Sequence, residues 1–245
     1  MAEKPARGSL LKNSLSAEWR RLLRAAEERL QVCAQLIAAG VTIEDPLTTY
    51  IGPGVSIGEG TVVRPNTTIN GRTVIGPGCE IGPNSVIVDS RIGEGCRVIA
   101  SVVEEAVLEK GVQVGPFSHL RPGAHLEEGV RVGNYAEVKN SRLGRQSLVN
   151  HFSYVGDAQV GANVNIGAGT VTCNFDGKEK HQTVIEDGAF IGSGTMLVAP
   201  VRIGAGAATG AGSVVTRDVP AGAVVVGVPA RPLKKAGTEA QGGQQ

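Results

Sequence analysis

Aromatic residues are scarce in this chain of 245 residues: one Trp, three Tyr and four Phe make up 3% of it. A core assembled from rings is therefore excluded, and packing must come from the Ile, Val, Leu and Ala that dominate its 41% hydrophobic content. Net charge is nearly absent too. A formal value of +1, with no basic stripe interleaved with aromatics, argues against nucleic acid and leaves a small molecule as the expected partner. No apolar run is long enough to cross a bilayer, so no membrane partner is expected. Cysteine is sparse and without metal-ligand spacing at Cys33, Cys79, Cys96 and Cys173. Reduced, buried thiols in a cytoplasmic protein, with no metal, are the expectation.

What the chain does have is glycine, 35 residues of it, and a six-residue beat. Ile51, Ile57, Val63, Ile69, Ile75, Ile81 and Ile87 are spaced by six without interruption. An aliphatic residue at one fixed place in a hexapeptide marks a parallel β-helix, each repeat giving one short strand and a turn, three repeats one triangular coil. The residue two before each aliphatic one (Val55, Thr61, Thr67, Thr73, Cys79, Ser85) shares its face and points inward, because strand side chains alternate with period two. The beat resumes at Leu108, Val114, Leu120, Leu126, Val132 and Val138, then slips by one before Leu143, Val149 and Val155 and again before Val160 and Ile166. It stops from Asn174 to Gln182, which reads as a loop leaving the coil. It returns at Ile185, Ile191, Leu197 and Ile203, loses a place to Thr209 and recovers at Val215.

Four segments follow. Residues 1–15 are polar, basic and aperiodic, and no apolar stretch follows them as a signal peptide would require, so they are expected to be a disordered leader. Residues 16–40 repeat Trp19, Leu22, Leu23, Ala26, Leu30, Cys33, Leu36 and Ile37 at helical spacing between Ser16, an N-cap, and Gly40, a C-cap. That amphipathic helix is expected to lie across the first coils. Residues 41–230 form the all-β domain, with about ten coils stacked at the ~4.8 Å strand spacing. The tail from 231 to 245, rich in Lys, Gly and Gln, is expected to fray.

Departures from the beat are where chemistry is sought. Arg121 and Lys139 follow Leu120 and Val138 at a corner and lie eighteen residues apart, so they stack on adjacent coils. Two cations held together need an anion, and a phosphate or carboxylate would satisfy both. One coil on, NHFSYVG places His151 at a corner and Tyr154 outward near the Lys139 column, with Asn165 outward on the next coil beside the His151 column and Asn174 opening the loop. Histidine titrates near neutrality and can take a proton from a nucleophile. His119, His125 and His181 stand without comparable neighbours.

The stretches GPFSHLRPGAHLEEGVRVGNYAEVK, HFSYVGDAQVGANVNIGAGTVTCNFDG and IGSGTMLVAPVRIG resemble the acetyltransferase half of the bifunctional glucosamine-1-phosphate acetyltransferase and N-acetylglucosamine-1-phosphate uridyltransferase family. The resemblance implies a left-handed coil, and residues 16–40 match that family's interdomain linker. It implies acetyl transfer from acetyl-CoA to the 2-amino group of glucosamine 1-phosphate, a step toward UDP-N-acetylglucosamine. His151 would be the general base. Arg121 and Lys139 would hold the phosphate, Tyr154 and Asn165 the sugar, and Lys180 would close over the phosphate from the loop. Ala168, Asn174, Phe175, Ser193 and Ala211 match the acetyl-CoA side, where backbone amides stabilise an oxyanion. A homotrimer with sites between subunits is implied as well.

Three departures qualify the match. The nucleotide-binding domain that precedes the linker in the family has only 15 residues in its place, so uridyl transfer and its magnesium are expected to be absent, and a separately encoded uridyltransferase becomes a candidate partner. Phe175 stands where the family commonly has Tyr. Gly227 replaces an arginine that binds the coenzyme phosphate, with Arg231, Lys234 or Lys235 as substitutes. Four alternatives stand beside this reading: a covalent route through Cys173, a zinc site on His119, His125 and His151 as in γ-class carbonic anhydrases, another amino-sugar or nucleotide-linked acceptor, and a non-catalytic trimeric scaffold.

Overall fold

Every aliphatic position that the beat marks from Ile51 to Val215, together with Thr209, is buried in the computed structural model, which describes residues 16–233. The chain winds as a parallel β-solenoid of about ten turns that matches the left-handed β-helix of hexapeptide repeats. Strands of two to four residues stack into three flat faces. The first face has 12 strands, from Thr42–Ile43 to Arg231–Pro232. The second has 10, from Tyr50–Ile51 to Val214–Val215, and the third has 9, from Ser56–Ile57 to Val201–Ile203. Each inward residue sits over its counterpart one coil away: Ile51 on Ile69, Ile69 on Ile87, Leu120 on Val138.

The small inward residues have a different task. Thr61, Thr67, Thr73 and Ser85 are fully buried, and their hydroxyls donate to backbone carbonyls, as Thr61 does to Gly76 at 2.9 Å and Thr73 to Asn70 at 2.6 Å. A corner carbonyl inside a dry prism would otherwise go unpaired, at a cost of about 1–3 kcal/mol. Val55, at the open end, is only partly buried. Cys79 and Cys96 lie side by side in the same inward column, both buried, as the strand register of Glu80 with Arg97 requires.

Residues 88–107, where the six-residue count found no beat, continue the coil. Ile92, Val98 and Val103 are buried there, and Ile87 stacks on Val103 and Val103 on Leu120. The coils shorten because corner residues are dropped, while the inward position is kept. All aromatic side chains lie outside the core: seven are exposed and Tyr154 is half-buried.

Helix α1 spans Ala17–Ala38. Ser16 caps it, its hydroxyl accepting from the Trp19 amide at 3.3 Å, and Gly40 at φ +87° turns the chain so that the Val41 amide returns to the Leu36 carbonyl. Only its C-terminal half rests on the coil, through buried Cys33, partly buried Val32 and Leu36, and the Arg29 guanidinium 4.1 Å over the Tyr50 ring. Trp19, Leu22, Leu23 and Ile37 stay exposed, so the helix projects from the first coil instead of lying across several. At the other end Arg231–Pro232 does not fray. It pairs antiparallel with Val225–Val226, and the Leu233 amide donates to Val224. The leader 1–15 and residues 234–245 lie outside the described residues.

Candidate functional site

At the corner between the second and third faces, Arg121 and Lys139 stack as their spacing requires, with the Arg121 amide on the Val138 carbonyl at 2.8 Å. Each brings a carboxylate partner that linear reading missed. Arg121 Nη1 lies 2.7 Å from Glu137 Oε1, and Lys139 Nζ lies 4.0 Å from Asp157 Oδ2. The chain itself therefore supplies the anions that the stacked cations demand.

Asp157 joins several elements. Its side chain accepts from the Asn140 amide at 2.6 Å and from the Asn174 amide. Burial alone would raise its carboxyl, but those amides and the cations of Lys139 and Lys180 outweigh it and hold Asp157 below the usual carboxylate value. Lys180 comes from the excursion 174–182, which closes on itself through a Phe175–Lys180 bridge. Its ammonium is pushed down by hydrogen bonding and repulsion from Lys139. Three cations thus gather at this corner, and Tyr154 reaches toward them, its hydroxyl 3.4 Å from Asn174 Nδ2. Gly156 makes room for the Tyr154 ring, since a Cβ there would fall inside it.

His151 ends the strand Leu148–His151 at the other edge of the second face. Gly156, which pairs with Lys139, lies five residue steps along the chain, so the two edges are no more than about 17 Å apart. The imidazole is exposed, and its Nδ1 lies 3.0 Å from Asn134 Oδ1. Below it the column runs through Ala168, Ser193 and Ala211, as Gly169, Gly194 and Gly212 donate in turn to the carbonyls of His151, Ala168 and Ser193. Extending the register of Ala208 with Val224 brings Gly227 to the foot of the same column. The side chains below His151 in this column are therefore all small.

Other expectations fall differently. Asn165 is half-buried and outward, but on the first face in register with Leu148, three residues short of the His151 corner. Phe175 is exposed on the excursion. The remaining histidines do have company: His119 meets Glu104 at 2.7 Å, His125 meets Glu109 at 2.8 Å and His181 meets Asp176 at 2.7 Å. In the first two the partner comes from the preceding coil, which linear spacing hides. His119 lies on the second face and His125 on the third, and among the described residues no group of three or more His, Cys, Asp or Glu is placed to hold a metal. Cys173 is half-buried, and burial pushes its thiol up, away from the nucleophilic thiolate. A groove of about 560 Å³ on the third face, lined by Glu127, Arg142, Arg145 and Asp187, is remote from His151 and largely self-neutralised.

Sequence comparison agrees with the coil. Residues 54–89 and 182–217 match the bacterial transferase hexapeptide (six repeats) family. The chain thus carries the repeat of that family. It is 53% identical over 199 residues to the bifunctional protein GlmU of Thermosipho africanus, covering 81% of this chain and 44% of that protein. It is 54% identical over 191 residues to GlmU of Carboxydothermus hydrogenoformans, covering 78% and 43%. The chain spans less than half the length of these relatives. Among solved structures, the hexapeptide-repeat coil is shared with the UDP-N-acetylglucosamine acyltransferases of Francisella novicida (TM-score 0.57, 17% identity, 78% of this chain and 70% of that one) and Arabidopsis (0.51, 16%, 79% and 72%). At that identity they speak for the fold alone. Among the described residues no helix is long and apolar enough to cross a membrane.

Proposed function

We propose that this protein transfers acetyl from acetyl-CoA to the 2-amino group of glucosamine 1-phosphate. The observation that carries the reading is the second face itself, with an exposed imidazole at one edge and Arg121, Lys139 and Lys180 gathered at the other. An amino sugar phosphate is the kind of molecule that spans such a face, its phosphate on the cations and its amine toward His151. Tyr154 lies between them. His151 Nε2 takes the amine proton as nitrogen attacks the thioester carbonyl. The C–S bond then breaks, and the departing thiolate is protonated by the imidazolium. Ala168, Ser193 and Ala211 line the coenzyme path, whereas Asn174 and Phe175, which the resemblance assigns to the coenzyme, stand at the cation edge of the same face. The four cysteines are unpaired, which suits the cytoplasm where acetyl-CoA is made. Release of coenzyme A that requires both glucosamine 1-phosphate and His151 tests the proposal. Silence from a folded protein with several amino sugars would move the reading to a scaffold.

We also propose that the sites form between copies in a homotrimer, which would bring Asn165, on a neighbouring face, and Gly227, at the foot of the column, into use. Phe117, Tyr135 and Phe152 support this. They stand exposed on successive coils of the His151 corner at φ of 60°, 57° and 25°, places held by Asn66 and Asn84 earlier in the same column. Phe117 and Tyr135 stack with centroids 5.4 Å apart. Bulky rings at left-handed corners are costly, and cover by another copy would repay that cost. Sedimentation equilibrium reads the oligomer directly.

A further inference from the structure

Resting on the acetyl-transfer reading, we propose that Asn134 is a positioning residue that sets the tautomer of His151 and thereby exposes the nitrogen that acts as base. Asn134 and His151 are register partners on adjacent coils, and the imidazole Nδ1 lies 3.0 Å from the amide oxygen Oδ1. A carbonyl oxygen can only accept. Nδ1 must therefore carry the ring proton, and Nε2 is left with a free lone pair aimed away from Asn134. The backbone around the ring is pinned as well: the His151 carbonyl accepts from the Ser153 hydroxyl at 2.8 Å and from the Gly169 amide at 3.4 Å, while the Phe152 amide donates to the Asn134 carbonyl at 3.0 Å.

The other three histidines show what is distinctive. In His119, His125 and His181 the Nε2 edge is occupied by a carboxylate. In His151 the contact is on the opposite edge and its partner is a neutral amide. A neutral acceptor orients the ring and selects the tautomer without a negative charge that would favour imidazolium or repel an approaching phosphate. The arrangement gives a base whose ring is oriented with Nε2 left open.

The test uses the full chain with Asn134→Ala and Asn134→Asp, each checked against the native protein by thermal melting. Nitrogen NMR of the His151 ring, assigned by its loss in His151→Ala, should show the Nδ1–H tautomer in the native protein and in Asn134→Asp, and a shift toward Nε2–H in Asn134→Ala. In the coenzyme A release assay, Asn134→Ala should lower kcat by about 10–100-fold, the scale on which metal-bound imidazoles suffer when they lose an orienting partner, with both KM values unchanged. Asn134→Asp should recover most of kcat at high pH while moving the acid limb of the pH–rate profile upward by about one unit. A native ring in the Nε2–H form, or an Asn134→Ala protein with native tautomer and native kcat, would overturn the proposal. A native protein with the Nδ1–H tautomer but no acetyl transfer to any amino sugar would sink the functional reading while leaving the role of Asn134 in place.

Discussion

The early coils, up to about residue 87, and the coils from Phe117 to Ala211 share one interior and differ on their corners. Inside, Ile69 and Leu197 are equally buried, Ile69 between Ile51 and Ile87 and Leu197 between Thr172 and Val215. Outside, the early corners carry Asn66 and Asn84, residues that accept a left-handed backbone at little cost. The same column then changes to Phe117, Tyr135 and Phe152, and finally to Gly169, Gly194 and Gly212. Surface charges differ likewise. Arg64, Glu80 and Arg97 form an exposed ladder that satisfies itself, whereas Arg121, Lys139 and Lys180 crowd around two carboxylates. The repeat holds the fold everywhere, and the residues proposed for chemistry are concentrated where the corners abandon it.

The sharpest way to break that contrast is at one corner column. His151→Ala should reduce sugar-dependent release of coenzyme A by about 10²–10⁴-fold, the usual contribution of a general base. Asn84→Gly, higher in the same column, should leave turnover unchanged. Both proteins should melt near the native temperature, because neither side chain packs into the prism. Equal losses at both positions would mean that the column matters only as scaffold. The complementary pair lies inside: Ile69→Ala and Leu197→Ala should each cost about 2–5 kcal/mol in denaturant unfolding, since both remove fully buried side chains from a close-packed column. A large difference between them would show that the two regions do not share one cooperative core.

Much of this was legible in the residues, for a physical reason. An inward position in a prism is set by alternation, so the beat marked it even where a turn was shortened by one. It failed between Ile87 and Leu108 because successive turns there lose a residue, and a fixed count of six cannot follow Ile92, Val98 and Val103. The site followed the same logic. Arg121 and Lys139 are separated by a full eighteen-residue coil, and their stacking was apparent. Asn134 and His151, like Asn140 and Asp157, are separated by seventeen, across the slips, and went unnoticed. Recounting the register at each slip would have found them. Lys180 had no such route, because an excursion has no period, and only the family resemblance pointed to it. The helix misled for another reason: its apolar stripe was real, but a stripe does not say whether its partner is the same coil, and Trp19 and Leu22 remain exposed.

Asp157 allows a pH test of the cation corner. Its carboxyl is held below the ordinary 3.8, so its stabilising contribution is complete above that value and disappears as pH falls through the lower folded value. Native protein and Asp157→Asn should therefore differ most in melting temperature near neutrality, and the gap should close below about pH 4. The variant should also bind the sugar phosphate less well, because Lys139, Lys180 and Asn174 lose their common anchor. A gap that widens in acid would show that Asp157 is not held as a carboxylate.

The smallest effect is expected at the far end of the His151 column, at Gly227, where the family resemblance implies an arginine. Its backbone sits at φ +98°, and only the Pro229 carbonyl comes within 4 Å of where a Cβ would point. Space is available, but conformation is not free: an L side chain there costs roughly 1–2 kcal/mol. Gly227→Arg should lower the melting temperature slightly and, by offering a cation to the coenzyme phosphate, lower the KM for acetyl-CoA while kcat stays the same. If KM does not move, another cation already serves the phosphate. Arg231, paired across from Val226 in the closing hairpin, is then the next residue to remove. A rise in KM for Arg231→Gln would show that the coenzyme contact had moved from the corner column to the hairpin.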